Sequence, residues 1–295
     1  MTEDLMQGSS EPVDVEFLRS WIGRSREKAD RITLRIFDEF HATFGRLLAA
    51  GEGDVAPPAL HWCLAPETPP ADALGPDGHA AKGGFLPPVP LPRRMWAGGT
   101  VETLDVLRLD DVVTRRETVR DVVFKEGRSG RLCFVTVDHV VSTARGVAIR
   151  EQQDIVYRDK PGASSVAAST PQRNLPSDYA ETLSVVATPT LLFRYSAMTF
   201  NGHRFHYDRP YATKVEGYAD LVVHGPIQAT LLMNLAARLI GHAPRQFTHR
   251  GVSALTANQT FRVCGRLNGE GHFEGVTLDQ TDEVCMRADA HNGAA

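Results

Sequence analysis

VVHGPIQATLLMNLAARLIG, residues 222–241, is the stretch whose reading decides the fold. Ile227, Leu231, Leu232, Leu235 and Leu239 recur at three- and four-residue steps, the spacing of one apolar helix face. Pro226 stands at the first helical position and Gly241 just past the last, where each residue is favoured. The pattern predicts a helix over residues 226–240, roughly 22 Å long at about 1.5 Å per residue. Such a helix needs a second layer to cover it. The pieces that follow read as strands: SALTANQTFRVCGRL (253–267), HFEGVTLDQ (272–280) and EVCMRADAH (283–291). Asn268-Gly269 marks a hairpin between the first two. Residues 182–195, upstream, read as a strand-like entry.

The first half has the same order of elements. Residues 15–48 read as helical, with Ile32, Ile36, Phe37, Phe40, Phe44, Leu47 and Leu48 on one face and Gly51 and Gly53 closing the segment. Residues 56–92 are too rich in proline and glycine for a central strand or long helix. They carry Leu60, Trp62, Phe85 and Leu86, so an ordered loop packed on the body is expected. From 94 to 157 the chain reads as an antiparallel meander. RLCFVTVDHVVST places Leu132, Phe134 and Val137 against polar positions, and GVAIREQQDIVYR does so with Val147, Ile149, Ile155 and Tyr157. GRSG (127–130) is a turn between such strands. Residues 1–14 read as a loose tail and the Ser-, Ala- and Pro-rich 159–180 as a linker. The expected organisation is α+β: a unit at 15–160, a linker at 161–180 and a second unit at 181–295.

Composition narrows the function. Of 295 residues 42% are hydrophobic and 23% charged, which suits a chain with a buried core. A net charge of −4 and a pI near 6.3 give no basic face for nucleic acid, and no Lys/Arg run suggests a membrane patch. No stretch approaches the roughly 18 apolar residues of a bilayer span. Cys63, Cys133, Cys264 and Cys285 are scattered, without a Cys-x-x-Cys pair, so neither a zinc ribbon nor a redox dithiol is signalled. The acidic, polar N-terminus does not read as a secretory signal, and a cytoplasmic protein is the expectation.

The densest polar cluster is YSAMTFNGHRFHYD, residues 195–208, followed by Tyr211 and Glu216. It admits three readings: a solvated loop, a metal site built from His203, His206 and Asp208, or an acid–base site. Histidine is the side chain that exchanges protons near neutral pH, which supports the third. The helix start adds a second component. Its first amides lack intrahelical partners and carry the positive end of the helix dipole. Pro226 has no N–H, so the Gly225 amide is the natural donor toward a carbonyl oxygen that gains negative charge. The plainer reading is that His224-Gly225-Pro226 only turns the chain into a core helix.

Together the two components resemble the motif of the MaoC-like, (R)-specific enoyl-CoA hydratases: an aromatic, small residues, Gly-Asp-x-Asn-Pro-aliphatic-His and, further on, His-Gly at the central hot-dog helix. Tyr195 stands at the aromatic, His206 at the catalytic histidine, Asp208 at an acidic residue just after it, and His224-Gly225 at the helix start. The likeness extends to the two-domain bacterial hydratases of methylfumaryl-CoA and itaconyl-CoA and the fungal type 2 hydroxyacyl-thioester dehydratases. It is carried by RRMWAGG (93–99), KEGRSG (125–130), EQQDIVYR (151–158), FRYSAMTFNGHRFHYDRPYA (193–212) and LVVHGP (221–226). It covers most of residues 15–240.

The resemblance implies a double hot-dog, with the first unit forming the acyl and pantetheine pocket and the second carrying the chemistry. It implies a hydro-lyase that adds or removes water across the α,β double bond of a branched dicarboxylic acyl-CoA or a 3-hydroxyacyl thioester, without metal or redox cofactor. His206 is the implied acid–base residue and Gly225 the oxyanion donor, worth about 3–4 kcal/mol of barrier. The family aspartate is replaced by Asn201, an amide that orients but cannot act as a base. His203, Asp208 and Tyr195 are candidates to share the load. Arg204 and Arg194 are candidates for a substrate carboxylate or CoA phosphates, or form surface ion pairs. LHW (60–62) and DGH (77–79) read as structural. The alternatives are a hot-dog thioesterase or an inactive acyl-CoA-binding protein, and a homodimer is compatible with either.

Overall fold

The computed structural model describes residues 13–127, 130–159 and 178–292. The expected tail lies almost wholly outside these residues, as do most of the linker and the two central residues of the 127–130 turn.

The helix read at 226–240 is α4 (Gly225–Ile240), closed by Gly241 at φ 95°. Every residue from Ile227 to Ala237 is buried, so the helix is enclosed on all sides and not only along its apolar stripe. Two of its buried polar side chains, Gln228 and Asn234, have partners. Thr277 Oγ1 donates to Gln228 Oε1 at 2.6 Å. Asn234 donates to the Pro58 carbonyl at 3.0 Å and accepts from the Ala49 amide at 3.1 Å. The covering layer is antiparallel: β6 (Glu181–Val186), β7 (Gln246–Gly251), β8 (Thr260–Leu267), β9 (Phe273–Leu278) and β10 (Val284–His291), in the order β7-β10-β9-β8-β6. The Asn268-Gly269 turn joins β8 and β9, with the Asn268 amide donating to the His272 carbonyl at 2.8 Å.

The first half supplies β1 (Ser25–Arg31), β2 (Arg93–Thr103), β3 (Val112–Gly127), β4 (Gly130–Thr143) and β5 (Gly146–Arg158), ordered β1-β3-β4-β5-β2. The region read as one helical segment is α1 (Val15–Arg19), β1 and α2 (Leu34–Phe44). SREKADR carries no large apolar residue, so neither a helical nor a strand period shows; it pairs with β3 at the sheet edge. Charge on an edge strand blocks addition of further strands. On β4 the inward face is also not the one expected. Cys133, Val135, Val137, His139 and Val141 point inward, while Leu132 and Phe134 are half-buried on the other face. The proline-rich loop is ordered, with Val89 and Leu91 buried on Val119, Val135 and Tyr157.

The two halves differ in what lies on the sheet. Against the first half-sheet lie short pieces: α1, whose Leu18 packs with Val119 and Val122, and a 3-10 turn, Leu60–Cys63, with all four residues buried. Trp62 donates to Glu151 of β5 at 2.8 Å, and the Ala65 amide donates to Asp30 of β1 at 2.7 Å. Helix α2 instead packs on α3 (Pro189–Thr199). That helix replaces the strand expected through residue 195. Thr188 caps it, accepting from the Leu191 amide at 3.1 Å, and Pro189 opens it.

One ladder joins the halves. β2 pairs antiparallel with β7 from Gly98 opposite Arg250 to Glu102 opposite Gln246, making a single ten-stranded sheet among the described residues. At Gly99 a Cβ would stand 2.2 Å from the Gln152 carbonyl oxygen and 3.3 Å from His249 Cε1. Gly99→Ala is expected to lose about 1–3 kcal/mol of stability by overpacking β2 against β5 beside this seam, read as a lower urea midpoint at unchanged slope.

Candidate active site

The site gathers at the N-terminus of α4. Helix α3 ends at Phe200, which has φ 50°, and the chain turns through Asn201 into a 3-10 turn, Arg204–His206. Two backbone links fix this turn beside the segment preceding α4. The Val222 amide donates to the Phe205 carbonyl at 2.9 Å, and His206 Nδ1 lies 2.7 Å from the Val222 carbonyl. A carbonyl only accepts, so Nδ1 holds the proton and Nε2 carries the lone pair.

The His206 ring stacks on His224, with centroids 3.4 Å apart and planes at 10°. His224 Nε2 is 2.9 Å from Ser196 Oγ on α3, and Tyr195 packs edge-on against the same imidazole at 5.1 Å. The Gly225 amide, next in the chain, donates no hydrogen bond among the described residues. A lone pair and an open donor therefore share one small region.

The other expected residues take different places. Asn201 Oδ1 accepts from the His203 amide at 2.9 Å, so its carbonyl shapes the turn. Asp208 faces Arg204, at 3.0 Å to Nε and 2.6 Å to Nη2, and caps the Tyr211 amide at 3.1 Å. Arg204 also lies over the Tyr211 ring, 4.2 Å from its centroid. Arg194 is exposed and donates to the Ala42 carbonyl at 3.1 Å. His203, His206 and Asp208 do not converge as ligands of one ion; the neighbours of His203 are Phe205 at 3.6 Å and His79 at 4.2 Å.

His79 comes from the first half, where DGH read as structural. The loop at 76–79 docks on the turn after α3: the Arg204 amide donates to the Asp77 carbonyl at 2.9 Å. The only local signal was a turn, with Asp77 Oδ1 accepting from the His79 amide at 3.1 Å. Its partner lies more than a hundred residues away, beyond the reach of periodicity. Arg94 joins the same group, 3.5 Å from Asp77, and its Nε is buried without a partner among the described residues.

Burial dominates the protonation of the histidines. It pushes His206 down to about 3, against the bond to the Val222 carbonyl, which favours the charged ring; a charge on His79 would lower it further. Burial likewise holds His203 and His224 below the usual imidazole range, with neighbouring imidazoles adding to the effect. Burial alone would raise the Asp77 carboxyl, but the hydrogen bond from His79 and the charges of His79 and Arg94 outweigh it and hold it below the carboxylate range. At neutral pH these three rings are neutral, and Nε2 of His206 acts as an acceptor.

A histidine depressed in the folded state binds its proton first in the unfolded chain. Its stabilising effect is present above about pH 6.5 and is lost as the pH falls toward the folded value. For His206 alone the loss between pH 7 and 5 is about 2 kcal/mol. Urea unfolding at the two pH values is expected to show at least this difference, and His206→Gln to reduce it.

The chain matches the family described as hydroxyacyl-thioester dehydratase type 2 over residues 59–257. It is 43% identical over 252 residues, 85% of this chain and 89% of the relative, to a mesaconyl-C(4)-CoA hydratase of Chloroflexus aurantiacus. It is 25% identical over 206 residues, 67% of this chain and 72% of the relative, to the mitochondrial hydroxyacyl-thioester dehydratase type 2 of Saccharomyces cerevisiae. Among solved structures, a MaoC-like dehydratase from Phytophthora capsici superposes with a TM-score of 0.69 at 15% identity, covering 95% of this chain and 97% of that one. A Mycobacterium tuberculosis protein with a double hotdog fold superposes at 0.53 and 13% identity, covering 92% and 96%. The fold is the double hot-dog, and the chain belongs to the hydroxyacyl-thioester dehydratase type 2 family.

Proposed function

We propose that this chain is a hydro-lyase that adds water to the α,β double bond of a branched dicarboxylic acyl-CoA of the mesaconyl-C4 type, or removes it in reverse. The observation that carries the reading is the pairing of a fixed lone pair with an open amide: His206 Nε2, set by the Nδ1 bond to Val222, beside the Gly225 N–H. The similarity to a mesaconyl-C(4)-CoA hydratase supports the substrate class.

The Gly225 amide receives the thioester oxygen as it gains enolate character, and His206 Nε2 accepts a hydrogen bond from the attacking water.

A free carboxylate on the substrate needs a cation. Arg204 is committed to Asp208, whereas Arg94 has a buried donor unfilled, so we assign this carboxylate to Arg94. The exposed Arg194 remains open to the phosphates of coenzyme A. Residues 15–160 would form the walls around the acyl and pantetheine chains, and 181–295 would carry the motif. A cavity of about 690 Å³, lined by Leu48, Val55, Val101, Leu107, Ile149 and Met233, lies between the first half-sheet and the C-terminal half of α4. It gives the wall-forming role some room.

Mesaconyl-C4-CoA is expected to lose its enoyl absorbance on addition of the protein without release of free thiol; free thiol would indicate a thioesterase. His206→Ala should lower kcat at least about 100-fold. Arg94→Met should raise KM for the dicarboxylic ester about 10–100-fold more than KM for crotonyl-CoA, the loss of one charge-assisted contact. An equal loss on both substrates would remove Arg94 from carboxylate recognition.

A further inference from the structure

The site described so far has a weak base. His206 is buried, and for a ring that gained a proton there the one hydrogen-bond partner among the described residues is a backbone carbonyl. Asn201 cannot take a proton and its oxygen is spent on the His203 amide, while Asp208 is held by Arg204. Hydration still requires a group that accepts a proton from water and keeps a positive charge for a moment.

Asp77 and His79 meet that requirement. Asp77 Oδ2 lies 3.4 Å from His79 Nδ1, making His79 the one imidazole of His79, His203, His206 and His224 with a carboxylate facing it. The His79 ring is 4.2 Å from His203, which in turn is 5.7 Å edge-on from His206. With 28% of its side chain exposed it is the most accessible of these four rings. The loop is also held in place by more than side chains. Gly78 has φ 84°, and a Cβ there would stand 2.0 Å from the Gly202 carbonyl oxygen, so only glycine lets the loop approach the motif this closely. Arg204 ties it twice, through its amide to the Asp77 carbonyl at 2.9 Å and through Nη1 to the Pro76 carbonyl at 3.0 Å.

We propose that Asp77 and His79, delivered by the first half of the chain, are the acid–base pair of the hydration carried out at the second half's motif. This rests on the hydratase reading above. Nε2 of His79 takes a proton from water as the water oxygen bonds to Cβ and the π electrons move toward the thioester oxygen. The same proton then passes from Nε2 to Cα, so one water is added and the ring returns to neutral. Asp77 holds the Nδ1 proton and offsets the charge of the transient imidazolium. Burial lowers the proton affinity of His79 and the Asp77 partner raises it. The ligand atoms of Asp77, His79 and His203 lie within 4.8 Å of one another, a grouping that also suits a divalent cation. Arg94, 3.5 Å from Asp77, already gives the carboxylate its positive neighbour.

The full-length chain and its His79→Gln, Asp77→Asn and His206→Ala variants are assayed with mesaconyl-C4-CoA from about pH 5 to about pH 9, with thermal unfolding alongside. For His79→Gln the expected result is a kcat lowered about 100-fold with KM changed less than about threefold. For Asp77→Asn the plateau falls and the acid limb of kcat/KM moves to lower pH, because the ring has lost the partner that favours its charged form. A packing role alone would not move that limb. The pair is overturned if His79→Gln keeps more than about a third of kcat, or if the limb stays in place in Asp77→Asn. It is also overturned if EDTA abolishes the wild-type rate and Zn²⁺ restores it, which would assign the three side chains to a metal. Activity lost in His206→Ala but kept in His79→Gln leaves the hydratase reading standing without the pair. No hydration by the wild-type chain overturns both.

Discussion

The β2–β7 ladder is the contact on which the rest of the molecule depends. Each half-sheet ends in a strand whose hydrogen-bonding groups need a partner, and each serves as that partner for the other. The pairing fixes more than the sheet. Trp96, at the bulge just before Gly98, lies with its indole against Gly225 and 4.3 Å from His249 of β7. The start of α4 is thus held against a first-half residue, and the loops of the first half are carried to the motif of the second. A side chain at 98 would run into the β7 backbone and one at 99 into the β5 backbone, which is the physical reason for glycine at both positions.

The halves solve the problem of the interior in different ways. The second fills it with a long helix and little charge. The first places ionised groups there: Glu151 accepts from Trp62 and Gln153 at 2.8 Å each, and Glu117 faces Arg115 at 3.3 Å, His139 at 3.2 Å and Arg26. Buried charges are tolerated only when paired and hydrogen-bonded. Burial would raise the Glu151 carboxyl, but the bond and charge of His61 hold it below the usual range. A carboxylate that stays ionised in this position locks the Leu60–Cys63 turn to β5, which a slippery apolar contact would not do.

Much of this was legible in the sequence. Pro226 and Gly241 bracket α4 as they should, and the likeness of 193–212 and 221–226 to a known motif leads to His206 and the Gly225 amide. What escaped did so for identifiable reasons. β1 has no apolar period because charge protects a sheet edge. The Thr188-Pro189 cap was a helix signal, but the β-branched run before it pointed to a strand that ends at Val186. On β4 the buried His139 sits among the inward residues, which disguises the inward face as the polar one. Asp77 and His79 are joined to the motif by backbone contacts across the molecule, and no local pattern announces them.

The bond from His206 to the Val222 carbonyl has a mechanical consequence. Val222 lies three residues before Gly225, with His224 between them stacked on the ring it helps to hold. His206 and the Gly225 amide are therefore anchored to one short, extended segment, itself clamped by the Val223 amide to the Leu255 carbonyl at 2.8 Å. No hinge separates them. The two groups move as one body when the segment shifts, so their spacing is insulated from breathing of the surrounding loops, and any adjustment to a substrate of different shape has to come from the other walls of the site.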